Sequence, residues 1–309
     1  MVREKELSLN ESARQSGLIT DLLDMTKPRV VLLMLVCALV GMLMSVKGSI
    51  SVTLMIYGLL GIALVAGSAA VLNHVVDAQW DRRMARTEHR PVATGRIRPF
   101  HGLLFSAALG LAGTSILFLL VNPLAAWLNL ASWLGYGVFY SIFLKHTTSQ
   151  NIVIGGLFGA APPLLGWVAI TNSIEPGALV LVLIIFMWTP PHFWALAIDR
   201  IDDYESAGIP MLPLTHGDRY TRWWILIYTV LLFVSTLLPF LIGMSGWIYL
   251  CTAILLGIVY LGFSSAMLLM EDPKLPLRSF KYSILYLTVL FAGLLADHYV
   301  LGLPSSVYV

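Results

Sequence analysis

Asn73, Asp77 and Asp81 stand four residues apart, directly after an apolar run, 53–72, that is long enough to span a bilayer. On a helix such positions lie one above another on a single face. The spacing predicts one amide and two carboxylates stacked at the end of a membrane helix. Ionisable side chains at membrane depth are costly, which makes them functional candidates. An ordinary interfacial cluster at a helix end would look the same, so this column gains weight only from a second one. That second stretch is Asp199, Asp202 and Asp203, after another membrane-length run, 178–197. Asp199 and Asp203 repeat the four-residue spacing, and each lies 122 residues beyond its counterpart, Asp77 or Asp81. Two carboxylate columns beside an apolar space suit Mg²⁺ bridged to phosphate oxygens. Magnesium prefers oxygen ligands and keeps waters and substrate phosphates in its shell.

Cations follow the first column. Arg82, Arg83, Arg86, Arg90, Arg96 and Arg98 crowd one loop, and Arg200, Arg219 and Arg222 follow the second. Part of this is the usual basic bias of cytoplasmic loops. A carboxylate–metal site also needs cations to balance a diphosphate, and arginine grips phosphate oxygens in pairs. The combination suits a lipid diphosphate, its head at the interface and its tail between helices. Breaking an allylic diphosphate puts negative charge on the leaving group, which metal and arginine stabilise. The allyl cation left behind needs a dry, π-rich wall. Tyr136, Tyr140, Phe143, Trp188, Phe193 and Trp194 are candidates, though most such aromatics pack or sit in interface belts.

The elements that must position these residues are membrane helices. Hydrophobic residues make up 58% of the chain and charged residues 12%, about half the charged share of a soluble domain. The fold class is therefore all-α, a polytopic membrane bundle and one domain over 1–309, with an N-terminal tail and interfacial helix over about 1–25. Nine spans are expected, near 30–46, 53–72, 101–121, 124–144, 151–170, 177–196, 224–243, 246–269 and 281–299. The 122-residue offset suggests a tandem four-helix repeat with a ninth helix appended. Gly155, Gly156, Gly159, Pro162 and Pro163 make the fifth span a candidate for bending. With nine spans, all of the 19 lysines and arginines except Lys47 fall on one face. By the positive-inside rule that face is cytoplasmic, and it carries both acidic stretches. The net charge of +2 gives no reason to expect nucleic acid as a partner. Cys37 and Cys251 sit inside apolar runs and suit helix packing better than a disulfide or a metal. Residues 1–29 mix acids and bases, unlike a secretory signal, so the first span is expected to be retained.

The acidic motif, Asn-x₃-Asp-x₃-Asp with a second acidic stretch after the sixth span, resembles the UbiA-type intramembrane prenyltransferases. Four further stretches resemble their haem-farnesylating branch. They are Thr26-Lys27-Pro28-Arg29; Asp81 through Arg86-Thr87 to Arg90-Pro91; Pro191-His192-Phe193-Trp194; and Asp203-Tyr204 with Gly208-Ile209-Pro210-Met211-Leu212-Pro213. The resemblance implies transfer of a farnesyl group from farnesyl diphosphate to a vinyl group of haem b, giving haem O, with Mg²⁺ as cofactor and haem as substrate. It implies that Asn73, Asp77 and Asp81 bind metal-diphosphate on one side, and Asp203 with Asp199 or Asp202 on the other. It places Arg82, Arg86, Arg90, Arg96, His192, Trp194 and Tyr204 against substrate, the arginines on phosphate or a haem propionate.

His192 could ligate haem iron or make an ordinary hydrogen bond. His74 is the next candidate, while His89, His101, His146, His216 and His298 look interfacial. Gln79 stands where many relatives carry an acid, and Asp199 where the haem branch commonly does not. A bacterial or archaeal cell membrane is the expected location, and haem A synthase or an oxidase assembly factor the expected partner. Two other readings fit the same residues. One is prenylation of a quinone precursor or other aromatic acceptor, and the other is a non-catalytic haem carrier or transporter.

Overall fold

A computed structural model of the chain describes residues 17–84, 87–270 and 272–300. Every regular element among them is a helix. The short helix Leu18–Met25 (α1) buries Asp21 and Met25 and exposes Leu18, Ile19 and Leu23, the amphipathic pattern of an interfacial helix. A left-handed turn at Lys27 then leads into Pro28–Met44 (α2). Pro28 occupies the first turn, where its missing N–H costs nothing. Val52–Val76 (α3) is capped by Ser51, whose Oγ accepts from the Leu54 N–H at 3.4 Å. It passes at Asp77 into the single turn Ala78–Asp81 (α4).

Pro99–Ile116 (α5) and Pro123–Trp133 (α6) each open into wider π winding, over Leu117–Val121 and Leu134–Leu144. The expected bend in the fifth span is a break between Asn151–Gly159 (α7) and Pro162–Thr171 (α8). Pro176–Asp199 (α9), Ile201–Ser206 (α10), Leu212–His216 (α11), Asp218–Leu241 (α12), Trp247–Leu269 (α13) and Leu275–Val300 (α14) complete the chain.

Among the described residues, seven helices are long and apolar enough to cross a membrane, or eight if α1 and α2, bent by 45°, form one span. Nine were expected. The additional segment, 124–144, is helical as α6 and its π continuation but stands outside that set.

Packing divides into neighbouring groups. α3 lies against α5, α2 against α8, and α9 against α12 and α14, with α13 between α12 and α14. Ser68 and Ser106 bind each other's carbonyls reciprocally, at 2.7 and 2.9 Å, and clamp α3 to α5. The α2–α8 contact is closer still. A Cβ on Gly166 would lie 1.9 Å from the Ala38 carbonyl oxygen, and one on Gly41 2.0 Å from that of Pro163. Backbones meet there because neither residue has a side chain, a common device between membrane helices.

Helix ends sort into two sets. At one end, Tyr299 Oη donates to the Leu43 carbonyl at 2.9 Å, and Asn122 Nδ2 to that of Val168 at 2.9 Å. At the other, Ser206 Oγ donates to the Arg83 carbonyl at 3.3 Å, joining the loop after α4 to α10. Met84 packs in one core with Trp194, Ala197 and Ile209. Both acidic stretches therefore lie at the same end of the bundle. Gly166→Ala should cost about 1–3 kcal/mol through overpacking. Gly159→Ala meets open space within 4 Å and should leave the melting temperature within about a degree. Thermal unfolding of the two variants in one detergent checks the contrast.

Candidate active site

The first column forms as the spacing predicts. Backbone hydrogen bonds from Asp77 N to Asn73 O and from Asp81 N to Asp77 O, both 2.9 Å, carry helical winding across the joint between α3 and α4. Asn73 Nδ2 donates to Asp77 Oδ2 at 2.8 Å, so the two side chains share a face. All three residues are buried, and Asp77 is 0% exposed. A carboxylate so placed needs a cation or hydrogen bonds. Lys145, at the end of the π segment, pairs with Asp77 Oδ2. Lys27, in the turn between α1 and α2, donates to Asn73 Oδ1. Arg90 holds Asp81 through one nitrogen, 2.8 Å from each carboxylate oxygen. Ser141, also on the π segment, accepts from Asn73 Nδ2 at 3.3 Å.

Lys27 and Lys145 carried no role in the sequence reading. Lys27 was visible as part of the Thr26–Arg29 stretch. Lys145 was visible only as a cation on the acidic face.

The second stretch does not form a column. α9 ends at Asp199, and Arg200 leaves the helical region at φ −116°, ψ 30°. Asp199 and Asp203 thus sit on different helices, and their four-residue spacing does not stack them. Asp199 pairs with the neighbouring Arg200 at 3.3 Å. Asp203 and Tyr204 are half-buried in α10, while Asp202 is exposed. Tyr140 lies within electrostatic reach of both Asp77 and Tyr204. It also stacks on Tyr136 at 5.2 Å, with interplanar angle 18°.

The other expected residues are dispersed. Arg96 holds Asp21 of α1 at 3.1 Å and donates to the His89 carbonyl at 3.0 Å. Arg82 Nε donates to the Ala93 carbonyl at 2.8 Å and shapes the loop. Arg86 lies outside the described residues. Trp194 is 1% exposed and edge-on to Tyr228, with ring centroids 5.4 Å apart, in the core beside Ile209 and Leu212.

His192 stacks between Trp188, at 4.1 Å, and Phe280, at 4.5 Å. Its Nδ1 is 2.6 Å from Ser283 Oγ, which itself donates to the Phe280 carbonyl at 2.6 Å. Ser283 Oγ thus lies between the imidazole and that carbonyl.

Beside the column, Asp24, Lys27, His74, Arg90 and Arg96 line a cleft of about 280 Å³.

Among the described residues, no three of His, Cys, Asp and Glu gather as a ready-made metal cage. Magnesium does not require one, since it retains waters and substrate phosphates. Asp77 and Asp81 offer the hard oxygens it prefers, on one face with an amide beside them, so the donor chemistry fits.

A bundle of membrane-length helices with buried acids and paired cations at one end defines a polytopic membrane protein. The model of the UbiA prenyltransferase family matches residues 34–290, and the chain belongs to that family. Its sequence is 53% identical over 280 residues to the protoheme IX farnesyltransferase of Hahella chejuensis, covering 91% of this chain and 94% of that one. It is 56% identical to that of Marinobacter nauticus, covering 91% and 93%. Among solved structures, a digeranylgeranylglyceryl phosphate synthase superposes with TM-score 0.78 at 17% identity, over 91% of this chain and 98% of that one. A UbiA homologue from Archaeoglobus fulgidus, bound to DMAPP and Mg²⁺, gives 0.64 at 15%, over 89% and 99%. These last two likenesses concern the fold.

Lys145→Met should leave Asp77 as a buried carboxylate without that cation. In metal-free buffer the loss should be about 3 kcal/mol, and the double variant with Asp77→Asn should recover most of it. Chemical denaturation followed by tryptophan fluorescence reads both.

Proposed function

We propose that this chain transfers a farnesyl group from farnesyl diphosphate to a vinyl group of haem b, giving haem O. The observation that carries the reading is the buried cluster of Asn73, Asp77 and Asp81 with Lys27, Lys145 and Arg90 on their oxygens. Relatives named protoheme IX farnesyltransferase, at 53–56% identity, supply the acceptor.

Asn73, Asp77 and Asp81 bind the head of the diphosphate from one side. Asp203, with Asp199 or Asp202, closes on it from the α10 side. Mg²⁺, when bound, neutralises the charge that collects on the departing diphosphate. Lys27, Lys145 and Arg90 hold the acids in the substrate-free chain and turn to phosphate oxygens once metal and substrate arrive. The bond from the allylic carbon to oxygen breaks, and its electron pair leaves with the diphosphate. The stacked pair Tyr136 and Tyr140 faces the positive charge left on the allyl group. The vinyl π electrons form the new carbon–carbon bond, and water adds to the neighbouring carbon with loss of a proton.

His192 would hold the haem iron through its imidazole, with Nδ1 beside Ser283 Oγ. The acidic end faces the cytoplasm of a bacterial or archaeal cell, by the positive-inside rule. The product passes to a haem-modifying enzyme such as haem A synthase, or to an oxidase assembly factor.

Purified protein given haem b, farnesyl diphosphate and Mg²⁺ should release pyrophosphate and yield a more hydrophobic haem. Asp77→Ala and Asp203→Ala should each lower turnover by at least about 100-fold while leaving haem binding in place. Chromatography of extracted haems, with a quinone precursor as rival acceptor, tests the reading. Undiminished turnover in both variants, or preference for the quinone precursor, overturns it.

A further inference from the structure

His74 is the least satisfied polar side chain near the site. It is 3% exposed, and neither ring nitrogen has a hydrogen-bond partner. Buried polar groups are almost always paired, so such an orphan points to a missing partner. At 3.6 residues per turn it lies about 60° around the helix from Asp77 and about 20° from Asp81. Its wall belongs to the cleft of about 280 Å³ shared with Asp24, Lys27, Arg90 and Arg96. Within electrostatic reach of the imidazole are three cations, Lys27, Arg90 and Lys145, and one anion, Asp77.

A neutral imidazole has one lone pair, which the neighbouring cations can serve, and one N–H, for which an anionic oxygen in the cleft is the fitting partner. Asp77 and Asp81 are not on the cleft wall, and Asp24 is the one carboxylate lining it. A metal-bridged diphosphate needs the acidic pair, which the cleft wall lacks. A bare carboxylate needs only cations and an N–H donor.

We infer that this cleft binds a carboxylate of the acceptor, a haem propionate under the function proposed above, with His74 donating to it and Arg96 balancing its charge. The acceptor is then held by its acidic edge beside the leaving diphosphate but apart from it. This assigns His74 to acceptor recognition and leaves farnesyl diphosphate binding to the column.

The test compares haem b with its dimethyl ester, in which both carboxylates are masked, by absorbance titration of the full-length protein in detergent. Haem b should bind the wild type about tenfold more tightly than the ester, the usual worth of a charge-assisted hydrogen bond. His74→Phe should remove most of that difference by weakening haem b alone. His74→Gln, which keeps a donor, should restore much of it. The KM for farnesyl diphosphate should change less than twofold in His74→Phe.

Equal weakening of haem b and ester in His74→Phe would make the residue merely structural and overturn the inference. So would equal affinity of both for the wild type, or a raised KM for farnesyl diphosphate with unchanged haem affinity. The ester comparison on the wild type stands even if His74→Phe fails to fold. Failure of the wild type to convert haem b at all would instead count against the proposed function.

Discussion

A fully buried carboxylate at the end of a membrane helix has to be neutralised, and Asp77 is neutralised by Lys145 from 68 residues away. That contact ties the end of α3 to the end of the π segment. The neighbouring contact from Lys27 to Asn73 spans 46 residues and ties in the start of α2. Three chain segments thus converge because one acidic face cannot be left dry and unpaired. Serine clamps and glycine contacts deeper in the bundle fix the helices, but the charge cluster fixes their ends. The cost of assembling these charges is a reason to read them as chemistry rather than packing.

The cluster also divides labour around one helix. The face of Asn73, Asp77 and Asp81 carries buried oxygens, each held by a cation. Beside it, His74 lines a cleft with Lys27, Arg90 and Arg96, whose one carboxylate is Asp24. On the π segment, Tyr136 and Tyr140 stack on each other within electrostatic reach of Asp77. π winding places these tyrosines and Ser141 along a stretch that ends at Lys145, and such winding is common at functional sites. Under the function proposed above, these parts would serve an allyl transfer as charge sink, dry wall and acceptor cleft.

Much of this was legible in the sequence. Hydropathy located the helices, and the four-residue spacing located the first column, because both follow from helix geometry alone. The bend in the fifth span followed from its prolines and glycines. The second column was misread for a physical reason: spacing implies stacking only while the helix continues, and α9 stops at Asp199. No proline or glycine marks that stop. Lys27 and Lys145 were missed because pairing across 46 and 68 residues leaves no periodic signal. Trp194 sits in the resembling stretch yet fills the core, which pattern alone could not separate from a binding role.

The most direct measurement is a crystal structure with Mn²⁺ and a non-hydrolysable farnesyl thiodiphosphate, its metal located by anomalous scattering. The account predicts a metal peak bonded to Asp77 or Asp81 and to a diphosphate oxygen. It also predicts that the same diphosphate is reached from the other side by Asp203, with Lys27 and Lys145 moved onto its oxygens. A diphosphate bound away from the column, or one that Asp203 does not approach, would contradict it.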